Sequence, residues 1–451
     1  MATRTVVIVG GGIAGLATAV RLIQLGIKPI VLEKRPFLGG RAFSFVDKDS
    51  GEEIDNGQHV FVGACDHFQR YIRDIGASHQ IRIESRLNFP VLKHGKTSWL
   101  RAKNLPGKLA NLSALLGYRH VGVLAKLRIL WGLLWISLAR LKCDSPHDRV
   151  SFDDWLRDHW QNDETINNFW NLIILPSLND HIAAVSAYTG IELFKVALLG
   201  SPVNPALGIP LAGLSSLVGE SARRYIESNG GEIRTGIHVE SVNIESGRIT
   251  GVKTSTVEMV EGEAVVSAVP AADMTHLVPV SLDGSDDFFT AAEDIRTAPI
   301  VAIHIWYDRP VMTEPFVATL DSPLQWVFND TDLKSKNDSG QHVIISLSGA
   351  WEWQDRSKEE LRQIFTDEMG KTFPQAKEAA VKKFTVVKML EATFRVTPGS
   401  RNSRLSQRTP LPGFYLAGDW TDTGWPSTME SAVRSGNLAA QFISEDIDTR
   451  R

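Results

Sequence analysis

Cysteine is nearly absent: Cys65 and Cys143 are the only two among 451 residues. Two thiols so far apart exclude a disulfide framework and a zinc site, and they fit a reduced, cytoplasmic setting. The start of the chain runs from Met1 through "TRTVVIVG" straight into an apolar strand, with no basic leader and no small-residue cleavage site, so conventional export is not expected. Charge is scarce as a net quantity, −4 overall, which argues against nucleic acid as a partner. No fixed-period repeat, low-complexity tract, Ser–His–Asp arrangement, paired-carboxylate motif or metal-ligand spacing stands out. Chemistry by side chains alone is therefore unpromising, and a cofactor is expected to supply it.

What is present begins at residue 5. "VVIVGGGIAGLATAV" sets Gly10, Gly12 and Gly15 in G-x-G-x-x-G spacing between a predicted strand and a predicted helix over 16–25, followed by a second strand over 29–32. The first glycine permits the tight turn, the second lets backbone approach a pyrophosphate, and the third allows close helix–strand packing. Glu33 ends the second strand, where an acid accepts hydrogen bonds from a ribose. This much fits NAD or FAD. Two features favour FAD: "GGRAFSF" at 39–45 stands where a nicotinamide domain continues into another helix, and "FYLAGDW" at 414–420 leads into a helix predicted to start near Thr428, whose positive end suits a reduced flavin.

The fold class expected is α/β, with a Rossmann-like FAD-binding domain of the glutathione-reductase type assembled from 1–84, 210–275 and 395–447. Residues 85–209 and 276–394 form an α+β substrate domain with a mixed sheet and a helical, membrane-contacting subdomain. The segment from Ser85 to Cys143 holds no Asp or Glu but many Lys and Arg around the apolar run "ILWGLLWISLA" at 129–139. That run is shorter than the roughly 20 residues a bilayer span needs. Dipping into the inner face of the cytoplasmic membrane, with Trp131 and Trp135 at the interface, is the expectation. Phe169, Trp170 and Phe194 are possible tunnel walls, with ordinary core packing as the equal alternative.

The blocks "VVIVGGGIAGLATA", "LEKRPFLGGRAFSF", "HVESV", "IHIWYDRP" and "LAGDWTDTGWPSTMESAVRSG" resemble the flavin amine oxidase and phytoene desaturase superfamily over nearly the whole chain. The resemblance implies FAD held by Gly10, Gly12, Ile13, Ala14, Gly15, Glu33, Lys34, Gly40, Arg41, Gly57, Gln58, His59, Val239, Gly418, Asp419, Thr428 and Met429. Within that group, "GRAFSFVDKDSGEEIDNGQHVFVGA" and "LPSLND" at 175–180 look like the hydroxysqualene dehydroxylase family of bacterial hopanoid synthesis. That narrower likeness implies a long isoprenoid substrate, removal of its hydroxyl by hydride from reduced flavin, and an electron donor that the residues do not identify. A carotenoid desaturase or isomerase is the alternative, with an amine oxidase or a non-enzymatic prenyl-lipid binder further off.

Departure of the hydroxyl needs a proton or a strong hydrogen bond. His59 and Asp180 are the candidates, supported by Asp55 and Asn179. Each also has a plain reading: Asn56–Gly57 as a hairpin turn with His59 bonding its backbone, and Asp180 as the cap of a helix starting near His181.

Overall fold

The computed structural model describes residues 4–48, 51–142, 145–201, 203–278, 286–335 and 340–449; Cys143 lies outside them. The β-branched run Thr5–Val9 forms the central strand of a five-stranded parallel sheet, buried on both faces as a parallel strand must be. It pairs with Lys28–Glu33 on one side and Ala264–Ser267 on the other. Glu232–Thr235 and Phe414–Leu416 complete the two edges. Segments more than 140 residues apart thus share one sheet, and the chain between them has to be accommodated elsewhere.

Between Thr5–Val9 and Lys28–Glu33 runs the helix Ile13–Gln24. It begins three residues earlier than its sequence pattern predicts, because Gly12 already has extended backbone and acts as its N-cap. The C-terminal helix Met429–Asp448 packs along it. This second helix starts at the expected place, with the Thr428 hydroxyl accepting from Ser431 N at 3.3 Å.

The remaining chain builds a seven-stranded sheet, in spatial order Val381–Phe394, Thr297–Tyr307, Gln341–Ser348, Trp326–Asn329, Phe316–Thr319, Asn88–Lys93 and Lys96–Arg101. All neighbours are antiparallel except Phe316–Thr319 with Asn88–Lys93. Helices Lys108–Gly117 and Asn171–Leu178 pack on its strands Lys96–Arg101 and Gln341–Ser348, and helices Val123–Leu138 and Ala187–Ala197 pack against one another. The architecture is α/β with a mixed sheet, as the strand and helix patterns predict.

Two local readings change. Asn56–Gly57 is not a hairpin turn: the hairpin pairs Ser44–Val46 with Glu53–Asp55, and Asn56 and Gly57 follow it without the positive φ that a type I′ turn demands. No helix starts near His181 either. Residues 182–184 make a turn, and the next helix begins at Ala187 behind Ser186, whose hydroxyl accepts from Tyr188 N.

The glycine turn itself is a packing device at Gly15, where a Cβ would stand 2.0 Å from the Gly10 carbonyl oxygen. Nothing there can yield except the helix or the strand. Gly15→Ala is therefore expected to cost about 1–3 kcal/mol, read as a lower urea midpoint with unchanged slope in equilibrium unfolding.

Candidate functional site

A cavity of about 1560 Å³ opens at the carboxyl ends of the parallel strands, where Val9 and Leu32 line it, and continues between the large sheet and the helices. Open α/β sheets bind their ligands at this edge. Gly10, Gly12, Ile13 and Ala14 face the cavity at the first turn, Glu33 and Lys34 at the second strand, Gly40 and Arg41 on the following loop, and Val239 on a neighbouring strand. Gly418, Asp419, Thr428 and Met429 close it from the C-terminal segment. Gly15 is the exception among the expected cofactor contacts: it packs behind the turn and does not line the cavity.

Charge and hydrogen bonding shape this end. The Glu33 carboxylate accepts from Gly11 N at 2.6 Å and from Arg35 N at 2.8 Å, so the acid braces the glycine turn as well as edging the cavity. Arg41 forms an ion pair with Asp419 and donates to the Ala392 carbonyl oxygen at 3.0 Å. Asp419 also accepts from Ser427 Oγ at 2.5 Å, which fixes the carboxylate just before the start of helix Met429–Asp448. The free N–H groups and positive end of that helix then face the cavity beside Met429.

Arg404, half-buried beneath this segment, donates to the carbonyl oxygens of Asp419, Trp420 and Thr421 and to Thr423 Oγ1. Burial lowers its pKa to about 10, with Asp422 and Asp419 opposing the fall. No sequence pattern marks Arg404 or Ser427, because both act through the folded loop and carry no motif of their own.

In the stretch 54–61, Asn56, Gly57, Gln58 and His59 all line the cavity. Asp55 does not. It sits behind the wall with its side chain 2% exposed, accepting from Ser44 Oγ at 2.7 Å and Leu214 N at 2.9 Å and pairing with Lys334. Gly57 brings backbone against the large sheet, its missing Cβ only 3.4 Å from Ala302 Cβ.

His59 does both things the sequence left open: Nδ1 bonds inward to the Gly57 carbonyl oxygen at 3.0 Å while the ring lines the cavity. Burial holds its pKa below the usual value, opposed by the Gly57 bond and the Asp55 charge. The ring therefore lines the cavity where a proton donor to a ligand hydroxyl is expected.

Asp180 is a correction to the expectation of an acid. It does not line the cavity; its side chain is 2% exposed, paired with Arg395 at 2.6 Å and accepting from Trp351 Nε1 at 3.2 Å. A carboxylate held this way by a guanidinium braces the wall. Asn179 does reach the cavity, with its amide fixed by Thr393 Oγ1 and Gly349 N.

Beyond these polar groups the lining turns apolar, with Leu87, Phe89, Leu115, Leu133, Leu172, Leu193, Trp326 and Phe328. Phe169 belongs to it, whereas Trp170 and Phe194 are core residues packed around Phe152. No group of three or more His, Cys, Asp or Glu able to hold a metal ion occurs among the described residues.

The chain is similar to the chloroplastic/chromoplastic 15-cis-phytoene desaturase of Capsicum annuum, 28% identical over 98% of this chain and 78% of that protein. It is likewise similar to the 15-cis-phytoene desaturase of Synechococcus elongatus, 27% identical over 97% of this chain and 95% of the other. Among solved structures, an oxidoreductase from Methanosarcina mazei shares the fold with a TM-score of 0.72 at 19% identity, covering 98% of this chain and all of that one. The family model for flavin containing amine oxidoreductases matches residues 13–444.

The cradle fits FAD by a direct test. At Gly12 an added Cβ meets nothing closer than 3.7 Å, the Gly40 Cα, and its φ of −75° suits any residue, so the fold alone does not require glycine there. Space for a cofactor does. Gly12→Ala is therefore expected to leave the apoprotein's melting temperature within about 2 °C and to weaken FAD binding about tenfold or more, by titration of apoprotein with FAD. With the cradle complete and the family model matched from residue 13 to residue 444, the chain belongs to the flavin containing amine oxidoreductase family and takes FAD as its cofactor.

Proposed function

We propose that this flavoprotein removes the hydroxyl of hydroxysqualene reductively, giving squalene for bacterial hopanoid synthesis. The observation that carries the reading is the single cavity joining the FAD cradle to a long apolar chamber. Its roughly 1560 Å³ exceeds the ~300–1,000 Å³ of an ordinary ligand pocket, room for a long hydrocarbon beside a cofactor. Reduced FAD, when bound, supplies hydride at its N5. In the overall change a C–O bond breaks, a C–H bond forms, the hydroxyl leaves as water with one proton, and the flavin ends oxidised by two electrons. An electron donor, still to be identified, must reload it.

The chain's own residues have three tasks in this scheme. His59, with Nδ1 anchored on the Gly57 carbonyl oxygen, donates from Nε2, as an imidazolium, the proton with which the hydroxyl leaves as water. Gly57 sets the loop backbone in van der Waals reach of Ala302 on the large sheet. Phe169, Trp326 and Phe328 present aromatic surface, which favours developing positive charge and excludes water.

The relatives favour a second reading. Both are phytoene desaturases aligned over nearly the whole chain, and desaturation of a polyene needs the same cradle and the same apolar chamber. The two reactions run electrons in opposite directions. What supports dehydroxylation is the polar pair Gln58–His59 on the cavity wall, which a pure hydrocarbon does not use, together with the motif resemblance.

Delivery of so apolar a substrate points to the inner face of the cytoplasmic membrane. The helices Lys108–Gly117 and Val123–Leu138 turn Leu115 and Leu133 into the cavity. Their other faces leave Val123 75%, Leu124 77% and Leu138 60% exposed, in the segment that lacks acids. Trp160, 70% exposed, stacks on Trp131 at the same surface. No helix among the described residues is long and apolar enough to cross a membrane. Basic side chains near such a patch add roughly 1 kcal/mol each on anionic lipid.

Two measurements test the proposal. Chemically reduced holoprotein incubated anaerobically with hydroxysqualene in detergent is expected to yield squalene by lipid analysis, and recovery of hydroxysqualene alone overturns the assignment. Co-sedimentation with vesicles of anionic phospholipid is expected to drop about tenfold or more in a Leu124→Glu/Leu127→Glu variant that keeps its FAD; equal sedimentation of the two proteins removes the membrane surface from the account.

A further inference from the structure

Behind the wall formed by Asn56 to His59 lies a buried row of ionisable groups for which the reaction has no use. Lys334 Nζ stands 2.9 Å from Asp55 Oδ2 and 2.9 Å from Asp330 Oδ1, with the three side chains 10%, 2% and 1% exposed. The row continues through Asp330 Oδ2 to His342 Nδ1 at 2.9 Å, and from His342 Nε2 to His304 Nδ1 at 3.1 Å. Burial works against the Lys334 charge, but the two carboxylates outweigh it and raise its pKa above the ordinary lysine value. A charged group held so firmly away from water requires its partners to stay in place.

The partners belong to different parts of the fold. Asp330 opens a short helix after strand Trp326–Asn329, and His342 and His304 sit on adjacent strands of the large sheet. Asp55 ends the hairpin that precedes the cavity wall. A second tie runs parallel to the first: Trp306, stacked flat on His342 at 4.0 Å, donates from Nε1 to Glu52 of the same hairpin at 3.1 Å. On the cradle side, Asn56 Nδ2 donates to the Arg41 carbonyl oxygen at 2.8 Å, and Arg41 carries the ion pair to Asp419.

We propose that Lys334 is a positioning residue for the flavin cradle: by bridging Asp55 and Asp330 it pins the hairpin end against the large sheet and, through Asn56, sets the Arg41–Asp419 pair. Lys334 touches neither the cavity nor the cofactor contacts. Its effect passes through Asp55 and the residue after it. The inference rests on the cofactor assignment and not on the choice of substrate, so its failure leaves the dehydroxylation reading untouched.

The test compares the apoproteins of the parent, Lys334→Met and Lys334→Arg by hydrogen exchange and by FAD titration. In Lys334→Met the amides of 53–60 are expected to exchange about tenfold faster and FAD to bind about tenfold more weakly, while the helix Lys358–Thr372 keeps its protection. Lys334→Arg, which retains the charge, is expected to restore both to within about threefold of the parent.

Parent-like exchange and affinity in Lys334→Met overturn the proposal. So does a uniform loosening that includes Lys358–Thr372, or an arginine variant no better than the methionine one. If Lys334→Met does not fold, the uncharged Lys334→Met/Asp55→Asn/Asp330→Asn variant replaces it, since removing all three charges relieves the buried imbalance. Fast exchange confined to 53–60 supports the role, and parent-like protection there contradicts it.

Discussion

The site depends on one ion pair that joins distant stretches of chain. Arg41 follows the second strand of the parallel sheet, Asp419 follows its last strand, and the guanidinium that pairs with Asp419 also holds the Ala392 carbonyl oxygen of the large sheet. Three segments spread over some 380 residues are thereby fixed at one point beside the cavity. Remove that point and the glycine turn, the start of helix Met429–Asp448 and the floor of the apolar chamber lose their common reference. Asp55 with Lys334, and Asp180 with Arg395, repeat the pattern further along the wall. Each is a carboxylate withdrawn from the cavity and paired with a cation from a distant stretch of the chain, which costs desolvation and returns a defined geometry.

The consequence is a division of labour along the cavity. Its polar end is made of backbone N–H groups, glycines and the Arg41–Asp419 pair, features suited to a dinucleotide. Its far end is hydrocarbon and aromatic. The two meet at Gln58, His59 and Asn179, where a substrate's reactive carbon can approach the cofactor with few polar groups around it. At this junction burial lowers the pKa of His59, and the chemistry itself falls to the cofactor.

The parts of this arrangement that are local in sequence were legible there. The glycine spacing of 10–15, Glu33 at a strand end and the Thr428 helix start each depend on residues within one turn of one another, and the cofactor follows from them. Longer-range features were not. Asn56–Gly57 reads as a hairpin because the dipeptide usually is one, yet the real hairpin lies just before it and Gly57 lies on the cavity wall beside Ala302. Asp180 looks like a helix cap or an acid until Arg395, 215 residues on, is seen to claim it. Lys334 carries no motif at all; its partner Asp55 is 279 residues away. Phe169 and Trp170 are adjacent aromatics, and only the packing around Phe152 tells the wall residue from the core residue.

The central claim is that electrons leave the flavin for the isoprenoid. The most direct measurement is the flavin absorbance of the holoprotein under strict anaerobiosis, followed after mixing with substrate from each redox state. The account predicts that hydroxysqualene returns reduced flavin to the oxidised spectrum while phytoene leaves oxidised flavin unchanged. Bleaching of the oxidised flavin by phytoene, with reduced flavin inert towards hydroxysqualene, would contradict it.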